Sequence, residues 1–134
     1  MSRYIPETVR RLVAERAGFK CEYCRLPQGV GGFSFEIDHI ISIKHGGNSD
    51  PSNLAYCCPI CNGSKGSDVG TYVDGELVRF FNPRTDDWFA HFALEKGWIT
   101  GLSPIGEATV SIFEFNDIED VIQRQKLESI GLYP

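Results

Sequence analysis

No run of eighteen consecutive apolar residues occurs in the chain, which excludes a membrane-spanning helix on length alone. The opening Met1-Ser2-Arg3-Tyr4-Ile5-Pro6 lacks the apolar stretch of a secretory leader, so a cytoplasmic protein with no membrane partner is expected. Internal repeats, long linkers and low-complexity tracts are also missing. So is an excess of basic charge: 13 Lys and Arg stand against 18 Asp and Glu, a net of −5. Such a balance at first argues against a polyanionic partner. Its distribution moderates the objection. Residues 1–67 hold eight basic side chains against six acidic ones, a net of +2, whereas residues 68–134 hold five against twelve, a net of −7. Arg3, Arg10, Arg11, Arg16, Lys20, Arg25, Lys44 and Lys65 all lie in the half that a phosphate backbone would meet.

What is present is a chain of 134 residues, 42% hydrophobic and 23% charged, which are globular values and enough for a real core. Pro6 to Ala17 reads as a helix with Val9, Leu12 and Val13 on one face, Arg10, Arg11 and Glu15 on the other, and Gly18 to close it. Phe33 to Ile37 alternates as a strand does, with Ser34, Glu36 and Asp38 on the opposite side, and Ile40 to Ile43 is expected to be the returning strand. A turn-rich loop is expected over 44–52, and Pro59 to Lys65 reads as a short helix. Later, Tyr72 to Leu77 predicts a hairpin turning at Asp74-Gly75. Trp98 to Leu102 reads as a strand, and Trp88 to Leu94 as either strand or helix. A helix is expected from Ser103-Pro104 with Ile105, Ala108 and Ile112 inward, and a last one from Asn116-Asp117-Ile118-Glu119 to Gly131. The class is α+β. A single domain is expected, with residues 1–66 as its core and 67–134 as an extension packed on it.

Four of the five cysteines fall in two CxxC pairs, Cys21/Cys24 and Cys58/Cys61. In a reducing compartment that spacing favours a metal over disulfides, and four thiolates suit tetrahedral structural zinc. All four positions are then filled by protein, so this Zn²⁺ serves folding and not substrate. Between Cys24 and Cys58 lie 33 residues, where a simple zinc ribbon has about 15–20. Something is therefore mounted between the knuckles, and the candidate is the Asp38-His39 pair. Cys57, out of phase with its neighbours, reads as a small buried residue.

Hydrolysis of a phosphodiester needs a deprotonated water, neutralised phosphoryl charge and help for the departing oxygen. An imidazole as a residue type titrates near neutral pH, which makes His39 the candidate base. Asp38 and the Asn62 amide oxygen can hold one hard divalent cation, leaving positions for water and phosphate, as Mg²⁺ prefers. Lys65, about one helical turn beyond Asn62, is expected to reach a phosphate. Each has a plainer role open to it: Asn62 a helix cap, Asn53 a turn residue, the Asp-His pair a loop feature.

From Cys21 to Lys65 the order of these residues resembles that of the HNH endonucleases, built on the ββα-metal (His-Me) finger. The matching positions are Cys21 and Cys24, Asp38-His39-Ile40, Gly46-Gly47, Asn53-Leu54, Cys58-Pro59-Ile60-Cys61-Asn62 and Lys65. The resemblance implies a ββα-metal core stapled by zinc. It implies that His39 is the general base, that Asp38 is a metal ligand, and that Asn53 holds the hairpin loop and so orients His39. Asn62 stands where His is commoner, similar to the phage junction-resolving type, which implies Mg²⁺ or Mn²⁺ as the catalytic cation. His45 matches a less specific position and is assigned an auxiliary phosphate contact. Phe81-Asn82-Pro83-Arg84, Trp88, His91-Phe92 and Gly101 to Gly106 resemble the C-terminal part of small stand-alone bacterial HNH proteins. The expected protein is thus an enzyme that cuts or nicks DNA, with branched or nicked DNA, or RNA, left open as the substrate. The alternative is a non-catalytic zinc module that binds nucleic acid or protein. A homodimer is compatible with the acidic second half.

Overall fold

The computed structural model describes residues 4–32 and 34–134; Met1 to Arg3, and Phe33 of the expected strand, lie outside the described residues. The chain divides into two compact units, Met1–Val69 and Gly70–Pro134, a few residues beyond the division expected after Gly66. Among the described residues no helix is long and apolar enough to cross a membrane.

The first unit begins with helix α1, Glu7–Arg16. Val13 and Ala14 are its buried residues, packed with Ile5, Leu54 and Tyr56, while Val9, Ala17, Phe35 and Ile37 close the cluster. Leu12, expected inward, is 47% exposed. The stripe runs through Val9, Val13 and Ala17 at four-residue steps, and Ala14 takes the place beside it. Gly18 ends the helix in the left-handed region at φ +65°, and the Phe19 amide donates back to Ala14 O at 3.0 Å. Arg16 then ties the helix to the segment over 51–54, its guanidinium donating to Pro51 O at 3.0 Å and Leu54 O at 2.7 Å.

Strand β1, Glu36–His39, pairs antiparallel with β2, Leu54–Cys57, in the register Glu36 to Cys57 and His39 to Leu54. The expected return at Ile40–Ile43 is thereby corrected. Residues 40–53 form a long loop with short helical turns at Ile43–His45 and Pro51–Asn53. The Asn53 side chain supplies the pairing that a returning strand would have given. Its Oδ1 accepts from Ile41 N at 2.9 Å, and its Nδ2 donates to Ile41 O at 2.9 Å and Asn48 O at 2.8 Å. All of β2 is buried, and it delivers the chain into helix α2, Pro59–Lys65. The two-strand hairpin followed by α2, with the cysteine pairs at either side, is a zinc-stapled ββα core of α+β class.

The second unit holds two hairpins and three helices. Strands β3 (Gly70–Val73) and β4 (Glu76–Arg79) turn at Asp74 and Gly75, both at positive φ, as the Asp-Gly pair requires. The ambiguous stretch after Asp87 is both things in turn, one helical turn α3 (Trp88–His91) and then β5 (Phe92–Glu95), which pairs with β6 (Trp98–Gly101). Helix α4, Pro104–Ile112, is capped by Ser103 Oγ, which accepts from Gly106 N at 3.0 Å. Ala108 is buried as expected; Ile105 and Ile112 are only half-buried, and Gly106 and Thr109 fill the inner face instead. Helix α5, Ile118–Ser129, is capped by Asp117 and stops before Gly131. Its Arg124 is buried, donating to Gly97 O at 2.7 Å and Phe115 O at 2.6 Å. Phe80, Phe81, Trp88, Phe92, Phe113 and Phe115 form the aromatic core.

Candidate metal centre and active-site cleft

Each cysteine pair sits in a tight turn whose second backbone amide points at the first sulfur. Cys24 N lies 3.5 Å from Cys21 Sγ, and Cys61 N lies 3.4 Å from Cys58 Sγ. The four Sγ atoms lie within 4.8 Å of one another and all four residues are buried. Cys24 Sγ and Cys58 Sγ are 3.8 Å apart. A tetrahedron with Zn–S bonds of about 2.3 Å has sulfur–sulfur edges of about 3.8 Å, so the cluster has the size of a zinc site. Burial opposes ionisation of Cys21, yet the thiols of Cys24, Cys57, Cys58 and Cys61 around it hold it well below its ordinary range. Cys57 is buried but stays outside the set of four, its Sγ 3.4 Å from Cys58 O.

The hairpin carries Asp38 and His39 to the wall of a cavity of about 310 Å³, which Asn62, Ser42, Lys44 and Ser67 also line. His39 Nε2 lies 2.9 Å from Ser49 Oγ. Asn62 Nδ2 donates to Glu36 Oε2. A carboxylate only accepts, so the amide nitrogen must face Glu36, and Oδ1 becomes the atom left for a cation. Gly47 lets the loop close over this wall: a Cβ there would lie 1.7 Å from Ile41 O. His45 follows Lys44 at the exposed end of its turn.

Asp38 is only 4% exposed, although it lines the cavity. Its Oδ2 accepts from the Tyr23 hydroxyl at 2.6 Å, and its Oδ1 lies 3.2 Å from Lys65 Nζ. Burial pushes the carboxyl above its usual range, against the pull of the Lys65 ammonium, the Tyr23 and Lys65 hydrogen bonds and His39. Burial and the adjacent carboxylate push the Tyr23 phenol well above its ordinary value, so it keeps its proton and donates. Lys65 corrects an expectation. It is 1% exposed and its Nζ donates to Asp38 Oδ1 and, at 2.9 Å, to His39 O. Turned inward on these two acceptors, it does not extend toward a phosphate.

The structure therefore gathers Asp38, His39 and Asn62 at one cavity, clamps the loop with Asn53, and moves Lys65 behind the site. Three contributors escape a reading of the sequence. Glu36 had a visible signal, since it shares the strand face of Asp38 two residues on. Tyr23 had a weaker one: a bulky hydroxyl between two buried cysteines needs a partner inside. Ser49 had none, because its approach to His39 depends on the fold of the whole loop.

Residues 21–68, about a third of the chain, match the family model described as HNH endonuclease. Every cysteine of the cluster and all of Asp38, His39, Asn53, Asn62 and Lys65 fall inside that span. No curated protein and no solved structure matches the chain.

Proposed function

Proceeding from an HNH endonuclease domain over residues 21–68, we propose that the protein is a metal-dependent nuclease hydrolysing phosphodiester bonds in DNA. The observation that carries this reading is the convergence of Asp38, His39 and Asn62 on one open cavity. His39 takes the proton of the attacking water. Ser49 Oγ, 2.9 Å from Nε2 and able to donate or accept, holds the ring in place and leaves Nδ1 as the nitrogen for the water. Asp38 and Asn62 Oδ1 hold the hard cation, Mg²⁺ or Mn²⁺, which when bound neutralises charge on the phosphoryl and departing oxygens. Asn53 keeps the loop against Ile41 and so holds His39 at the hairpin end. Lys65 serves by pairing with the Asp38 carboxylate, and Lys44 and the exposed His45 supply positive or hydrogen-bonding groups toward the strand. The four thiolates hold structural zinc and take no part in the reaction.

Incubation of supercoiled plasmid with the zinc-loaded protein and Mg²⁺ tests the reading. Conversion to nicked or linear DNA is expected, falling at least about 100-fold in the His39→Ala variant, the lower range for loss of a general base. A wild-type protein that binds the plasmid without cutting it is instead a zinc-stabilised binding module. Cleavage equal in wild type and variant removes His39 from the mechanism.

A further inference from the structure

The two groups that grip Asp38 come from opposite ends of the thiolate cluster. Tyr23 lies between Cys21 and Cys24, inside the first knuckle. Lys65 lies four residues, about one helical turn, beyond Cys61 on the helix that the second knuckle starts. The tyrosine is fully buried and the lysine nearly so, and both meet one carboxylate, at 2.6 Å on Oδ2 and 3.2 Å on Oδ1. Neither contact is local: Tyr23 and Asp38 are 15 residues apart, Asp38 and Lys65 are 27.

We propose that Tyr23 is a positioning residue, one jaw of a two-part clamp whose halves are brought together by the structural zinc and which sets the affinity of Asp38 for the catalytic cation. The inference rests on the nuclease reading above for the role of Asp38. Its logic is mechanical. A carboxylate can turn about its own bond and present either oxygen, in several geometries, to an ion. Here one donor occupies each oxygen, so the carboxylate plane is fixed and one lone-pair direction per oxygen remains for an ion. Phenylalanine would fill the same space without the hydroxyl. A tyrosine here carries an otherwise costly buried O–H, which finds its acceptor in Asp38. Because each jaw stands on its own knuckle, drawing four sulfurs onto one ion also fixes the spacing of the two donors. Thiolate-site occupancy and hard-cation affinity are thereby coupled through chain geometry.

The test uses full-length protein loaded with one equivalent of zinc, checked by elemental analysis. Mn²⁺ is titrated in without DNA, and the free ion is followed by electron paramagnetic resonance. Tyr23→Phe is expected to keep its zinc and to bind Mn²⁺ about tenfold more weakly, the usual scale for loss of a hydrogen bond to a metal ligand. Val13→Ala, a cavity in the α1 packing far in sequence from Asp38, serves as a control for general loosening and is expected to leave Mn²⁺ affinity unchanged. Unchanged or tighter Mn²⁺ binding by Tyr23→Phe overturns the proposal. So does loss of zinc in that variant, since the tyrosine would then serve the thiolates, and so does equal weakening by Val13→Ala. A wild-type protein that takes up no second cation defeats the nuclease reading itself; the other outcomes leave that reading standing.

Discussion

At the scale of single residues, the site depends on which atom of Asn62 faces the cavity. Glu36 decides this, because its carboxylate can only accept and so draws the amide nitrogen to itself. Replacing it by glutamine removes the bias, since a carboxamide can pair with either orientation of Asn62. Glu36→Gln is expected to lower kcat for plasmid cleavage about tenfold, the range seen for partners of metal ligands. KM for DNA is expected to stay put, as Glu36 is not asked to bind the strand. A change confined to KM would assign Glu36 to DNA contact instead. Residue chemistry of this kind was largely legible in the sequence. Thiolates at CxxC spacing, an imidazole beside a carboxylate and an amide after Cys61 declare their ligand types wherever the chain goes. Lys65 was not legible in this way. Its charge suggests a phosphate, but its destination depends on α2 packing beside β1, where Asp38 offers a buried anion. A buried carboxylate without a cation is far costlier than an exposed lysine without a phosphate, and so the interior wins.

Among the elements, the loop over 40–53 departs furthest from expectation. Ile40, Ile41 and Ile43 have strand-forming side chains, and local propensity alone favours a return there. Asn53 overrides this by satisfying both polar groups of Ile41 from its own side chain, which frees β1 to pair with Leu54–Cys57. The helix starts were easier to read, because Pro59, Ser103 and Asp117 mark them, whereas the apolar period misplaced Leu12, Ile105 and Ile112. Gly47 supplies a test of the loop. An added methyl would collide with the Ile41 carbonyl, which belongs to the backbone and cannot swing aside. Gly47→Ala is therefore expected to break the Asn53 clamp, costing about 1–3 kcal/mol in stability by the usual scale of enforced overpacking. Cleavage is expected to fall at least about tenfold, as a misplacement of the base would require. Thermal unfolding and the plasmid assay measure the two effects, and a fully stable, fully active variant would show that the loop tolerates another path.

For the whole molecule, the pertinent fact is that the thiolates and the aromatic core lie in different compact units. Among its described residues the first unit has a small apolar cluster around Val13, Leu54 and Tyr56 and a hairpin of two four-residue strands. A core of that size is marginal without a cross-link, so zinc binding there is folding free energy. The second unit contains no cysteine and builds its interior from six aromatic side chains, with Arg124 stitching α5 to the backbone of Gly97 and Phe115. None of the four clustered cysteines lies in it. Stripping zinc with a strong chelator is accordingly expected to raise amide hydrogen exchange across residues 4–69 by several orders of magnitude. Protection in β5, β6, α4 and α5 is expected to persist. The charge asymmetry fits the same division: the unit that holds the thiolates carries most of the basic residues, and the acidic unit is the one built on the aromatic core. Were chelation to melt both units together, the second would depend on the first for its fold. Retained exchange protection in the first unit after zinc removal would mean that α1 and the hairpin suffice without the thiolate centre.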